Sequence, residues 1–260
     1  MQRNVVLQAL ARLAASLIAL LMLAAVPAFA ADKANINIIG YSEAGPYFAF
    51  EEFGVHDGSG AAFSNIYIID LSTDKWVSGA PYGVDTTQDN DPEAKLLSQV
   101  RNEAMAKAKA KLAELKITSP YTILALNGDG EHGDMKTMNF WTPNCCFQDS
   151  TEDIKFTLTL KTSPVKDPSD DCKEFAGYDQ PLVGFSLDFN DPSAQPKTIS
   201  TIHDDGGVVP KSRGCTLDYG IYAVVAPTDD YITSRVAIIE TWSYGFEGAD
   251  RRFIVVPIDG

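Results

Sequence analysis

The chain has 260 residues, with 35 acids against 21 bases and a formal net charge of -14. Binding a polyanion requires clustered cations, and the same repulsion opposes docking on anionic lipid, so nucleic acid and membrane surfaces are excluded as expected partners. A hydrophobic content of 45% is enough to build a buried core.

Arg3 and Arg12 lead into an apolar run from Leu13 to Val26, and Pro27-Ala28-Phe29-Ala30 places small residues where signal peptidase needs them. Residues 1–30 therefore read as a signal peptide cleaved after Ala30. The run is shorter than the roughly 17 to 25 residues that span a bilayer. No cysteine lies near the cleavage site to carry lipid, and no later stretch is apolar enough to span. The expected product, residues 31–260, is periplasmic or secreted, with no membrane span in the mature chain.

The exported part opens with extended segments at Ile36 to Tyr41 and Tyr47 to Phe53, joined by a Gly45-Pro46 turn. A Gly-rich loop, His56-Asp57-Gly58-Ser59-Gly60, leads into the β-branched run Asn65 to Leu71. The one helical pattern falls at 92–116. Asp91 is its expected N-cap and Pro92 its first residue, and Leu97, Val100, Ala104, Ala108, Leu112 and Leu115 recur at helical spacing. The Ala-rich centre implies a close approach to a sheet. Lys107, Lys109, Lys111 and Lys116 alternate with Glu103 and Glu114 as a solvated face.

Eight further strands are expected: Tyr121 to Leu126, Met135 to Trp141, Ile154 to Lys161, Leu182 to Phe189, Lys197 to His203, Gly220 to Ala226, Arg235 to Tyr244 and Arg252 to Ile258. The fold class is mostly β: a single β-rich domain, sandwich or blade-like hairpin sheets, with one amphipathic helix packed on it. A full propeller needs about four strands per blade and at least four blades, more than this pattern supplies. The hairpins around Glu51–Asp70 and Glu240–Asp259 echo one another, each with an acid and an aromatic residue on its first strand.

All four cysteines, Cys145, Cys146, Cys172 and Cys215, lie in the exported part, where an even count reads as two disulfides. A vicinal bridge is strained, so Cys145 and Cys146 are each expected to pair with Cys172 or Cys215, in either of two connectivities. Each bridge contributes on the order of 2–4 kcal/mol. Zinc is the competing reading, but the spacing fits no usual finger.

The stretch Tyr41 to Phe50 followed by Asn65 to Asp70 resembles a blade unit of Tol-type periplasmic β-propellers, with Ala44 where the repeat carries its turn aspartate. The Phe48 to Val55 run, Asp57-Gly58-Ser59-Gly60, the Asn65 to Leu71 strand and the Gly-Phe-Ser-Leu stretch at Gly184 resemble bacterial predicted secreted proteins carrying the domain of unknown function DUF2259. That resemblance implies export and assigns no catalytic residue.

Each of the three histidines stands beside an acid: His56-Asp57, Glu131-His132 and His203-Asp204. Brought together, they could hold zinc as neutral imidazoles, with Asp57 or Asp204 orienting them. Asn127, Asp129 and Glu131 alternate as oxygen ligands suited to calcium, although His132 stands where an EF-hand needs glycine. The Gly40 to Gly45 stretch misspells the nucleophile elbow and leads into a strand instead of a helix. Gly128 to Lys136 lacks the Gly-Lys-Ser/Thr of a phosphate loop. Glu51 and Glu52 should point to opposite faces of one strand, which is wrong for shared acid–base work. Trp76, Trp141 and Trp242 are expected mainly in the core, with a sugar platform or protein hot spot as the alternative.

With no catalytic constellation assembled, the expected function is a non-catalytic binding or interaction module whose partner is another envelope protein, recruited along an exposed strand edge. A metal-dependent hydrolase built on the His-Asp loops and a glycan-binding module are the alternatives. No cofactor is required, and calcium or zinc is the metal to test for.

Overall fold

The computed structural model describes residues 31–43, 45–129, 134–142, 154–177, 180–192, 199–229, 233–245 and 248–259, and among these are fourteen strands and one α-helix. The strands are β1 (Asn35–Ser42), β2 (Tyr47–Val55), β3 (Ala62–Asp70), β4 (Lys75–Trp76), β5 (Tyr82–Asp85), β6 (Ile117–Ser119), β7 (Tyr121–Leu126), β8 (Thr137–Thr142), β9 (Ile154–Pro164), β10 (Val183–Asn190), β11 (Ile199–Asp204), β12 (Thr216–Pro227), β13 (Val236–Tyr244) and β14 (Ala249–Pro257). The helix, α1 (Leu97–Glu114), lies between β5 and β6.

The strands form three antiparallel sheets. The first runs β4-β3-β2-β1-β6, with β5 also on β3; the second runs β14-β13-β12-β7; the third runs β11-β10-β9-β8. The second sheet lies in the middle, because its side chains alternate between two cores. On β13, Val236 and Ile238 pack with Phe48, Phe50 and Phe63 of the first sheet. Ala237 and Ile239 pack with Phe140, Leu158, Phe185 and Leu187 of the third. Burial on both faces explains the near-continuous apolar runs of β12 and β13. Along β12 a register shift between Ile221 and Ala223 resets which residues face which core.

The far face of the first sheet is covered by α1. Ala104 and Ala108 are fully buried against Ala49, Ile66 and Ile68, and alanine at the contact lets the helix approach the sheet closely. The helix starts later than its sequence pattern implies. Leu96 stands at the N-cap, and its N–H donates to Gln99 Oε1 at 2.9 Å. The carbonyl of Pro92 instead accepts the Thr86 hydroxyl at 2.8 Å, so Asp91 and Pro92 belong to the connection from β5. Glu51 points to the helix side, where Arg101 donates to both its oxygens at 2.9 and 2.8 Å and Ser64 adds a third bond. Burial raises the Glu51 carboxyl, but these donors outweigh it and hold the net shift downward.

The disulfide pairing differs from the sequence expectation. Cys172 bonds to Cys215, tying the 3-10 turn Asp170–Gly177 to the start of β12. Both candidate partners for the adjacent pair are thereby used by each other, because the turn after β9 returns beside the entry to β12. Cys145 and Cys146 lie outside the described residues. β4, β5 and β6 escape the sequence pattern because two to four residues are too few to show a period. The Tol-type blade resemblance is not confirmed: the Tyr41 to Asp70 segment lies within a sheet of six strands in a layered stack.

Candidate functional site

A groove of about 430 Å3 opens where β14, β3–β4 and the β11 end with the Pro210–Arg213 turn come together. One wall belongs to the first sheet. Phe50, Tyr67 and Ile69 line it, and Trp76 of the two-residue strand β4 forms its lip. The Tyr67 ring stacks on Phe50 at 5.0 Å and meets Trp76 at 5.2 Å. Trp76 is exposed, as is Trp141, while Trp242 is only half-buried. The tryptophans are therefore not the core residues that composition implies: a two-residue strand at the sheet's edge leaves Trp76 covered on one side only.

The floor is the outer edge of β14. Arg251 exchanges backbone bonds there with the segment before β1: its N–H donates to the Asp32 carbonyl at 2.7 Å, and the Ala34 N–H donates to its carbonyl at 3.2 Å. Phe253 also turns outward, its N–H donating to Glu52 Oε2 at 2.8 Å. Antiparallel strands alternate inward and outward residues, so Val255 presents its N–H and C=O to the groove as well. Beyond the Lys33–Arg251 bridge, no strand pairs with this edge among the described residues.

Glu52 faces away from the helix, opposite to its neighbour Glu51, as strand geometry requires. It is buried, and burial pushes its carboxyl up to about 7, against the lowering influence of the Phe253 N–H and Arg252. The guanidinium is not close enough to cancel that effect; Arg252 Nε lies 3.7 Å from Oε1. Burial, followed by the neighbouring Glu52 charge, raises the Tyr67 phenol.

The third wall is polar. His203 stacks on Phe185 at 4.4 Å, with Nε2 3.0 Å from Asp205 Oδ1 and Nδ1 4.0 Å from Asp74. Arg213 donates to the same Asp205 oxygen at 2.6 Å. Burial acts to raise the Asp205 carboxyl, but His203, the Phe185 N–H and Arg213 outweigh it and the net shift is downward. At Asp74 burial prevails over His203 and Arg213, and the carboxyl is raised.

Of the candidate metal ligands among the described residues, only His203 lines this groove. His56 sits after β2, its Nδ1 on Asp32 and its Nε2 3.1 Å from Asp85. Both ring nitrogens are thus occupied by carboxylates. Burial raises Asp32, but the His56 bond and the Asp57 N–H outweigh it and lower the carboxyl. Asp57 is an exposed turn residue, and Asp204 is the exposed last residue of β11, accepting from the Gly206 N–H at 2.8 Å. Asn127 donates to the Ile221 carbonyl at 2.7 Å, and Asp129 accepts from Arg251. Both side chains are engaged in tying β7 and β14 into the middle sheet. Glu131 and His132 lie outside the described residues. Among the described residues, no group of three or more His, Cys, Asp or Glu is arranged to hold a metal ion, and no helix is long and apolar enough to cross a membrane.

Sequence reasoning missed Glu52 as a groove residue, together with Tyr67, Asp74 and Arg252. No local signal marks them, because they converge from β2, β3, the turn before β4, and β14. The comparison with curated proteins and the comparison with solved structures each return no match. A family model matches residues 49–259, which contain every groove residue named above, and the chain accordingly belongs to the family described as Predicted secreted protein (DUF2259).

Proposed function

We propose that the protein is an exported binding module that takes an extended segment of another envelope protein into the groove, as an added strand on β14. The observation that carries this reading is the edge itself: Phe253 and Val255 turn backbone groups into a groove of about 430 Å3, a size within the usual range for binding sites. An open edge is a template for pairing, and backbone bonds along it would supply affinity while the walls supply selectivity. The chain already uses the same edge, since Asp32 and Ala34 pair with Arg251. Buried Glu52 already accepts the Phe253 N–H, which leaves the Phe253 carbonyl and the Val255 backbone groups to an incoming strand.

The test uses Lys75, which is exposed at the rim and lines the groove. A photo-crosslinking residue placed there should capture an envelope protein in cells. Val255→Pro removes the outward N–H together with part of the side chain that packs on the first-sheet core, and should abolish the adduct while circular dichroism shows the fold retained. No adduct, or one indifferent to Val255→Pro, refutes the reading.

A glycan-binding reading is favoured by one observation, the exposed Trp76 ring over Tyr67 beside the polar wall. It predicts that soluble sugars quench tryptophan fluorescence and that Val255→Pro leaves the quenching intact, because stacking does not need the backbone edge.

A further inference from the structure

We infer that cleavage after Ala30 creates the missing cation of a carboxylate corner: the new α-ammonium at Ala31 pairs with Asp250 and locks the N-terminal segment onto β14. The inference rests on the expected cleavage position and is independent of the strand-addition reading. Residues 32–34 already cross-link to β14 and to the turn after β2. The Asp32 N–H donates to Asp250 Oδ1 at 2.9 Å. One oxygen of the Asp32 carboxylate meets the His56 ring and Arg252, the latter at 3.4 Å, and the other accepts the Asp57 N–H at 2.7 Å. Arg251 donates Nε and Nη2 to the Ala34 carbonyl at 3.2 and 2.8 Å, and Ala34 is fully buried in the first-sheet core.

Charge is unevenly shared in this corner. Asp32, Asp57, Asp85 and Asp250 meet there, and the His56 ring and Arg252 guanidinium are both directed at Asp32, with His56 reaching Asp85 as well. Arg251 is engaged by Ala34 and Asp129, and Lys33 is exposed. Asp250 is half-buried and has no ion pair among the described residues. Burial raises its carboxyl, as does the Asp32 charge, against the lowering influence of the Asp32 N–H, Arg252 and His56. A half-buried carboxylate beside a like charge is stabilised by a cation, and the chain brings one within reach. Consecutive backbone positions are about 3.8 Å apart, so the Ala31 nitrogen lies within about 7 Å of Asp250 Oδ1. A free ammonium there attracts the carboxylate and has three donors to turn toward it. In a chain that still carries residues 1–30 the same nitrogen is a neutral amide and supplies no charge. Processing therefore adds the counter-charge at the point where the segment joins β14.

The protein purified after export is compared with the same protein acetylated selectively at the Ala31 amine, which removes its charge. Mass spectrometry first fixes the N-terminus, and a mature chain that begins at any other residue overturns the inference. At pH 7 the free ammonium should raise the melting temperature by about 2–4 °C over the acetylated form. A cation whose pKa is raised by its partner in the folded state stabilises fully below its ordinary value, about 7.7–8.0 for an α-amine. That contribution is lost as pH rises through the folded value, so the difference should disappear by about pH 10. Asp250→Asn, which keeps an oxygen for the Asp32 N–H, should also remove it. Equal melting of the two forms at pH 7, or a difference that survives at pH 10 or in Asp250→Asn, overturns the inference. Should Asp250→Asn fail to fold, the pH series on the unaltered protein decides the matter. None of these outcomes bears on strand addition at Phe253 and Val255.

Discussion

Replacing Glu52 with glutamine tests whether the groove's buried carboxyl is held against its own ionisation. Glu52 is 2% exposed, and its carboxyl is pushed from 4.5 up to about 7. In the unfolded chain it ionises near its ordinary value, so between pH 4.5 and 7 the folded state keeps a proton that the unfolded state has released. Stability must then fall as pH rises through that window and level off above it. Each pH unit of displacement is worth about 1.4 kcal/mol, so the full window amounts to about 3 kcal/mol. Glutamine cannot ionise, and it keeps an oxygen for the Phe253 N–H. Glu52→Gln should therefore match the wild type near pH 4 and exceed it near pH 8 by up to about 3 kcal/mol, a rise of roughly 6–12 °C in melting temperature for a chain of this size. Urea unfolding from pH 4 to pH 8 measures the difference directly. A difference that stays flat across the range, or a variant less stable at pH 8, would show that Arg252 holds Glu52 ionised and that burial is not the dominant influence.

On the other face of β2, Arg101→Ala strands the buried Glu51 carboxylate and should cost about 3 kcal/mol, the lower end for a broken buried pair because the guanidinium is partly exposed. Adding Glu51→Gln to that variant should recover much of the loss, read by urea midpoints. The Cys172→Ser/Cys215→Ser variant removes a bridge between residues 43 positions apart, and loop-closure entropy puts the loss at about 4 kcal/mol. Calorimetry under oxidising conditions should show a clear fall in melting temperature, and an unchanged value would contradict a structural role. Ala104→Leu forces bulk between α1 and the first sheet and should cost about 1–3 kcal/mol. The same change at exposed Ala110 should fall within about 0.5 kcal/mol, measured by the same unfolding curves.

Hydrophobic period alone determined much of this protein. Alternation located the long strands, helical spacing at Val100, Ala104, Ala108 and Leu112 marked the buried stripe of α1, and strand geometry sent Glu51 and Glu52 to opposite faces. These are local consequences of backbone geometry, legible wherever an element is long enough to show its repeat. The layer order was not legible, since an apolar run buried on both faces, as in β12 and β13, does not say which sheets cover it. Nor was the cysteine pairing, because the closeness of Cys172 to Cys215 depends on where the turn after β9 returns. The groove belongs to the same class. Only His203 stands out in the sequence; Glu52, Tyr67, Asp74, Arg213 and Arg252 are ordinary residues there, contributed by separate segments of the chain. Only the stacking of three sheets brings their edges together, removes Glu52 from water and leaves the backbone of β14 facing an open groove, because burial and an unpaired edge are properties of neighbours that sequence spacing does not name.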